Sequence, residues 1–340
     1  MAFADPQQTT KPAWITELGR GYRRPADVIS ALGLDPALLP AAEAGHRDFA
    51  VRVPRGFVAR MQPGDPDDPL LRQILPLAEE QTPDPGFTAD PVGDLDAQAA
   101  PGVLHKYHGR ALLIATGACA INCRYCFRRH FPYADAHAAR EQWQPALAYL
   151  RARTEVNEAI ISGGDPLTLP DTRLSPLAES LAAIPHLERL RVHTRLPVVL
   201  PERVDAGLLA WLAGTRLQPV MVLHANHANE LDADVAAACR RLRDAGVTLL
   251  NQAVLLRGIN DSVPALRGLS ERLFQLGVMP YYLHQLDRVA GATHFLVDNG
   301  HARSLVAELT EQLPGYLVPC LAREDAGAPA KTPLATRHHQ

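Results

Sequence analysis

Six short apolar runs, residues 111–115, 158–161, 190–193, 220–223, 248–255 and 278–283, are each followed by a stretch whose apolar residues recur at helical intervals. Strands that alternate with helices need crossover connections, so this order predicts a parallel sheet. Six βα units closing partway make an open barrel, a partial (β/α)6 fold of the TIM type. Chemistry in such a barrel gathers on the loops after the C-terminal ends of the strands. Those positions hold a cysteine-rich loop, Ser162-Gly-Gly-Asp-Pro166, His193-Thr-Arg195, His224-Ala-Asn-His227, Gln252 and Asp287.

Upstream, Trp14, Ile15 and Leu18, then Val28, Ile29 and Leu32, recur at helical spacing, and Pro25 stands where a helix start tolerates it. Pro63, Pro66, Pro69, Pro76, Pro83, Pro85, Pro91 and Pro101 then crowd one stretch, which reads as an extended wrapping segment. The expected organisation is a helical N-terminal region with this segment over 1–103, the barrel over 104–315 and a C-terminal segment over 316–340. A net charge of −3 without a basic stripe argues against nucleic acid, and no apolar stretch is long enough to span a bilayer.

The loop after the first strand reads Ala118-Cys-Ala-Ile-Asn-Cys-Arg-Tyr-Cys-Phe-Arg-Arg129. Thiolates of Cys119, Cys123 and Cys126 at this C-x-x-x-C-x-x-C spacing supply three of the four ligands of a [4Fe-4S] cluster and leave one iron open. The alternative is zinc, but the five cysteines contain no second C-x-x-C pair. Cys239 and Cys320 read as small buried apolar residues. The odd cysteine total and an N-terminus without a signal-like apolar run point to the cytoplasm.

A cysteine loop of this kind resembles the radical S-adenosylmethionine (SAM) enzymes. By that resemblance Gly163, Gly164 and Asp165 would hold the methionine amino group of SAM, and Tyr125 would contact its adenine. The strings around His193, His224 and Gln252 resemble one branch, the lysine 2,3-aminomutases, over about residues 104–334. In that branch the histidine and glutamine, here His224 and Gln252, help to seat SAM. The branch also implies pyridoxal 5′-phosphate (PLP), with Lys331 as its catalytic lysine and Lys106 and Arg110 as phosphate contacts. Lys106 lacks the planar fork of the arginine usual at its position.

The substrate contacts follow from charge as well as resemblance. Arg128 suits the carboxylate of an α-amino acid. Asp287, with Glu324 or Asp325, matches the acidic residues that take the distal ammonium of L-lysine. The strings at 53–65 and 280–287, and the nine residues after Lys331, resemble the branch serving β-lysylation of elongation factor P. That implies a functional link to elongation factor P and its lysyl ligase, and an external electron donor such as flavodoxin or ferredoxin. The implied reaction moves the lysine amino group from C2 to C3 through a 5′-deoxyadenosyl radical. The competing readings are a degradative aminomutase acting on free lysine or glutamate, and a non-catalytic iron-sulfur protein.

Overall fold

The computed structural model describes residues 12–133 and 143–334, so residues 1–11 and 335–340 of the two expected terminal segments lie outside the described residues. One sheet of ten strands runs in sequence order: β1 Gln98–Ala100, β2 Val103–Tyr107, β3 Arg110–Thr116, β4 Glu158–Gly163, β5 Arg189–Thr194, β6 Gln218–Leu223, β7 Thr248–Leu255, β8 Met279–Gln285, β9 Cys320–Arg323 and β10 Thr332–Pro333. Neighbours from β3 to β9 pair in parallel. The first three strands form antiparallel pairs, and β10 returns antiparallel on β9. The barrel is therefore open between β1 and β10.

The six expected units are β3 to β8, and the sheet grows beyond them at both ends. Before them stands the β1–β2 pair. After them, β9 adds a seventh parallel strand and β10 brings Lys331 alongside it. Cys239 is buried in the helix Ala233–Asp244, as its spacing suggests, but Cys320 opens β9 and is exposed, which corrects its expected burial. A strand of four residues at the last parallel position has its end open to solvent.

Alternation builds the two faces of the sheet. Residues such as Ala159, Ile161, Leu190, Val192, Met221, Leu249, Ala253 and Leu283 are buried in the core with the outer helices. Those helices begin at side-chain caps: Asp205 on Leu208 N, Asp232 on Val235 N and Ser262 on Ala265 N. The N-terminal helices Ala13–Arg20 and Pro25–Leu32 lie where the apolar spacing places them. Trp14 stacks under the buried guanidinium of Arg203, 4.6 Å from its ring centre, and so docks this region on the barrel. The proline-rich stretch has turns and short 3-10 segments, and Thr88 bridges to Val289 over the loop after β8.

Candidate active site

The other set of alternating residues faces inward and does not fill the barrel. Glu158, Ile160 and Ser162 of β4, Arg191 and His193 of β5, Thr248, Leu250, Gln252 and Val254 of β7, and Tyr282 and His284 of β8 line a cavity of about 750 Å³. Gln252 is thus a mid-strand residue rather than a strand-end one. All the expected site residues line this cavity except Asp325.

Cys119, Cys123 and Cys126 lie on its wall, on a loop anchored largely by the N-terminal region. Asn122 N donates to Arg52 O at 2.9 Å, and Arg124 N donates to Gln73 O at 2.9 Å. Arg124 is fully buried and donates from Nε to Glu80 at 2.8 Å, while Arg129 reaches the same carboxylate at 3.0 Å. The segment before the barrel therefore supports the thiols from below. Burial and the neighbouring Cys123 push the Cys126 thiol up to about 11, so its ligand form needs a cation to hold it. Among the described residues no three His, Cys, Asp or Glu side chains group closely enough for one metal ion. A four-iron cluster instead takes one thiolate per iron and spreads its ligands more widely.

The glycines after β4 are dictated by this loop. A Cβ on Gly163, whose φ is +123°, would lie 2.5 Å from Thr116 O, and one on Gly164 would lie 2.5 Å from Ala118 O. Asp165, which is expected near the methionine amino group of SAM, lines the cavity but has its carboxylate engaged by the protein. Its carboxylate accepts from Thr194 Oγ1 and Arg195 N at 2.7 Å, and from Leu167 N and Leu196 N at 3.1 Å. Every strong acceptor direction is used, so it joins the β4 and β5 loops; burial still raises it to about 6. Gly163 O accepts from Tyr133 at 2.9 Å, and Gly164 O has no protein donor among the described residues.

Tyr125 is edge-on to Phe295, and its hydroxyl lies 2.7 Å from Asn226 Nδ2 and 2.8 Å from Arg195 Nη1. His193 and His224 meet edge to face at 5.9 Å, and each has a buried Nε2 without a partner among the described residues. Burial, joined by nearby Arg195 and Lys331, lowers His224 to about 4, which keeps it neutral. Two neutral imidazoles with unmet polar atoms suit a polar ligand in the cavity.

A chain of charges occupies the β9–β10 side. Lys331 Nζ lies 3.1 Å from His284 Nε2 and 3.3 Å from Glu324 Oε2. Burial lowers its pKa, against the pull of Glu324 and Asp287. Lys106 gives its three donors to Asp94 at 2.6 Å, Glu324 at 2.9 Å and Val92 O at 2.8 Å, which leaves none for a phosphate. The Arg110 guanidinium has no hydrogen-bond partner among the described residues and stacks over Tyr107 at 4.6 Å. A shifted amine and an unpaired guanidinium in one cavity fit an aldehyde-bearing phosphate ester, so the residues present accommodate PLP.

Arg128 donates from Nε to Asp94 at 2.6 Å, and neither terminal nitrogen has a protein acceptor among the described residues. Asp94 was not singled out from the sequence, because it lies in a turn-rich stretch without periodicity. Asp287 is half-buried in the wall with no side-chain ion pair or hydrogen bond among the described residues, and desolvation beside Glu324 raises it to about 7 against the pull of Lys331 and Lys106. Asp325 points away from the cavity and accepts from Thr332 Oγ1 at 2.7 Å and Arg323 Nε at 3.0 Å. Of the two acidic residues considered for the ammonium, only Glu324 faces the cavity.

Residues 113–266 match the Radical SAM superfamily model. The chain is 50% identical to an L-lysine 2,3-aminomutase from Escherichia coli over 322 residues, covering 94% of each chain. It is 47% identical to one from Haemophilus influenzae, again over 94% of each. An L-lysine 2,3-aminomutase from Clostridium subterminale is 35% identical over 82% of this chain and 67% of its own length.

Proposed function

The chain belongs to the L-lysine 2,3-aminomutase family of radical SAM enzymes, and on that premise we propose that it converts L-lysine to β-lysine by moving the amino group from C2 to C3. The observation that carries lysine over a neutral or acidic amino acid is Asp287. A half-buried carboxylate that no cation touches, beside a second one on Glu324, is costly unless a ligand brings positive charge into contact with it. The ε-ammonium of lysine is such a charge.

When bound, the cluster and SAM supply a carbon radical that takes a hydrogen atom, and PLP supplies an electrophilic carbon through which nitrogen passes between neighbours. Cys119, Cys123 and Cys126 would hold the cluster. Gly163 and Gly164 permit close backbone approach to SAM, and the unmet Nε2 of His224, with Gln252 and Tyr125, would fix its orientation. Lys331 would take the PLP aldehyde and Arg110 its phosphate; Lys106 braces Glu324 and Asp94. Arg128, held side-on by Asp94, presents its terminal nitrogens to the substrate carboxylate. Phe87, Val289, Ala292 and Phe295 pack together with Tyr125 of the cysteine loop against them, an apolar surround that would help to keep water from the site.

The reading extends to a supply of β-lysine, in the cytoplasm, to the lysyl ligase that modifies elongation factor P, with flavodoxin or ferredoxin as electron donor. What supports this extension is the resemblance of the strings at 53–65 and 280–287. No helix among the described residues is long and apolar enough to cross a membrane. The test is to incubate anaerobically reconstituted protein with SAM, PLP, reductant and, separately, lysine, norleucine or glutamate. β-Lysine is the expected product. Equal turnover of norleucine or glutamate would remove the acidic pocket from the reading.

A further inference from the structure

Behind the cysteine loop lies a buried polar group whose aim is unusual. Arg195, 4% exposed, points Nη1 at Cys123 Sγ, 2.8 Å away. Its other terminal nitrogen is held by Gln73 Oε1 at 2.6 Å and Glu230 Oε2 at 2.9 Å. Glu230 is fully buried, and its Oε1 accepts from Asn226 N at 2.8 Å, His227 N at 3.0 Å and Gln73 Nε2 at 3.1 Å. Three donors besides Arg195 fix that carboxylate, which holds the guanidinium paired with it in place. The rings of Phe57 and Tyr125 lie 5.4 and 5.8 Å from the guanidinium carbon.

We propose that Arg195 is a positioning residue that sets the reduction potential of the cluster through its hydrogen bond to the Cys123 sulfur, with Glu230 as the counter-charge that limits the effect. The proposal rests on the assignment of Cys123 as a cluster ligand. One electron from an external one-electron reductant adds one negative charge to the cluster, and a donor on a ligand sulfur stabilises that added charge. Buried away from water, the interaction is weakly screened. The Arg195–Glu230 pair is neutral as a whole, but its positive end is the end at the sulfur. Its net effect raises the potential, and loss of the counter-charge would raise it further.

The experiment is a spectroscopic redox titration of the reconstituted cluster, without and with SAM, in wild type and in Arg195→Gln, Arg195→Lys and Glu230→Gln. Iron content and thermal melting confirm loading and folding. Arg195→Gln is expected to lower the reduced-to-oxidised ratio at a fixed potential about tenfold, equivalent to about 59 mV for one electron. Arg195→Lys, which keeps charge but loses the fork, should fall between. Glu230→Gln should move the midpoint the opposite way, so either residue alone still tests the idea if a variant of the other fails to fold. A fully loaded Arg195→Gln or Glu230→Gln cluster with an unmoved midpoint would overturn it. So would an effect seen only with SAM present, which would make Arg195 a SAM contact. Failure of the wild type to bind iron would instead count against the cysteine assignment.

Discussion

Glu324 holds two ammonium groups at once, Lys331 Nζ at 3.3 Å from Oε2 and Lys106 Nζ at 2.9 Å from Oε1. The lysine proposed to take PLP is therefore tied to a carboxylate proposed to take the substrate's ammonium. Burial draws Lys331 toward its neutral form and Glu324 draws it back.

Glu324→Gln removes the opposing pull, so the pKa of Lys331 should fall further. Uptake of PLP, followed by absorbance, should then reach its half-maximal rate at a lower pH than in wild type. Borohydride reduction of the loaded protein should leave the label on Lys331 in both. An unchanged pH profile, or a label on another lysine, would contradict this arrangement.

Asp287 should trade stability for binding. Its folded value of about 7 stands above the ordinary 3.8, so its contribution is most favourable below about pH 4 and is lost as pH rises through 7. Asp287→Asn should stabilise the lysine-free protein at pH 8 by at most ~4 kcal/mol, seen as a raised melting temperature, and leave it nearly unchanged at pH 4. The same change should raise the KM for lysine strongly, since the partner of a desolvated charge typically matters by about 3–5 kcal/mol. SAM binding should be spared. Calorimetry at the two pH values and steady-state kinetics check both halves.

Single changes of Cys119, Cys123 or Cys126 to alanine should abolish the cluster signal in the reduced-state paramagnetic spectrum. Cys239→Ala and Cys320→Ala should retain it. In the native protein iodoacetamide should label exposed Cys320 and leave Cys239 untouched. A full cluster in the triple Cys→Ala variant would defeat the assignment.

Glu80 is predicted to be the main tie between the N-terminal region and the cysteine loop, because it pairs with Arg124 and Arg129 together. Glu80→Ala leaves two buried guanidinium groups without their carboxylate and should cost about 3–5 kcal/mol. Urea unfolding measures the loss, and iron content on reconstitution should fall with it. Unchanged stability would mean the loop is held by its backbone contacts alone.

The strands β3 to β8 were legible because a buried strand followed by an amphipathic helix leaves a local pattern of apolar residues. β9 and β10 were not, since four and two residues carry too little pattern and owe their place to pairing with distant segments. Asp94 was hidden for a similar reason, as its meaning comes from Arg128 and Lys106, which approach it only in the fold. Lys106 was expected to hold phosphate, and only the three acceptors around it show that its donors are used. Glu324 and Asp325 could not be separated by sequence, because neighbouring residues in extended chain point to opposite sides.

The cysteine spacing, the alternation that makes a parallel sheet and the paired glycines that let two loops touch can all be read along the chain. Each is a constraint among residues close along the chain. Which charges face which is a matter of the fold: Arg195 on Cys123, Asp94 between Arg128 and Lys106, Glu324 between two lysines, and Asp287 with no cation in direct contact. Electrostatic partnership in a buried cavity depends on distance in space and on the exclusion of water, and neither quantity is written in residue order.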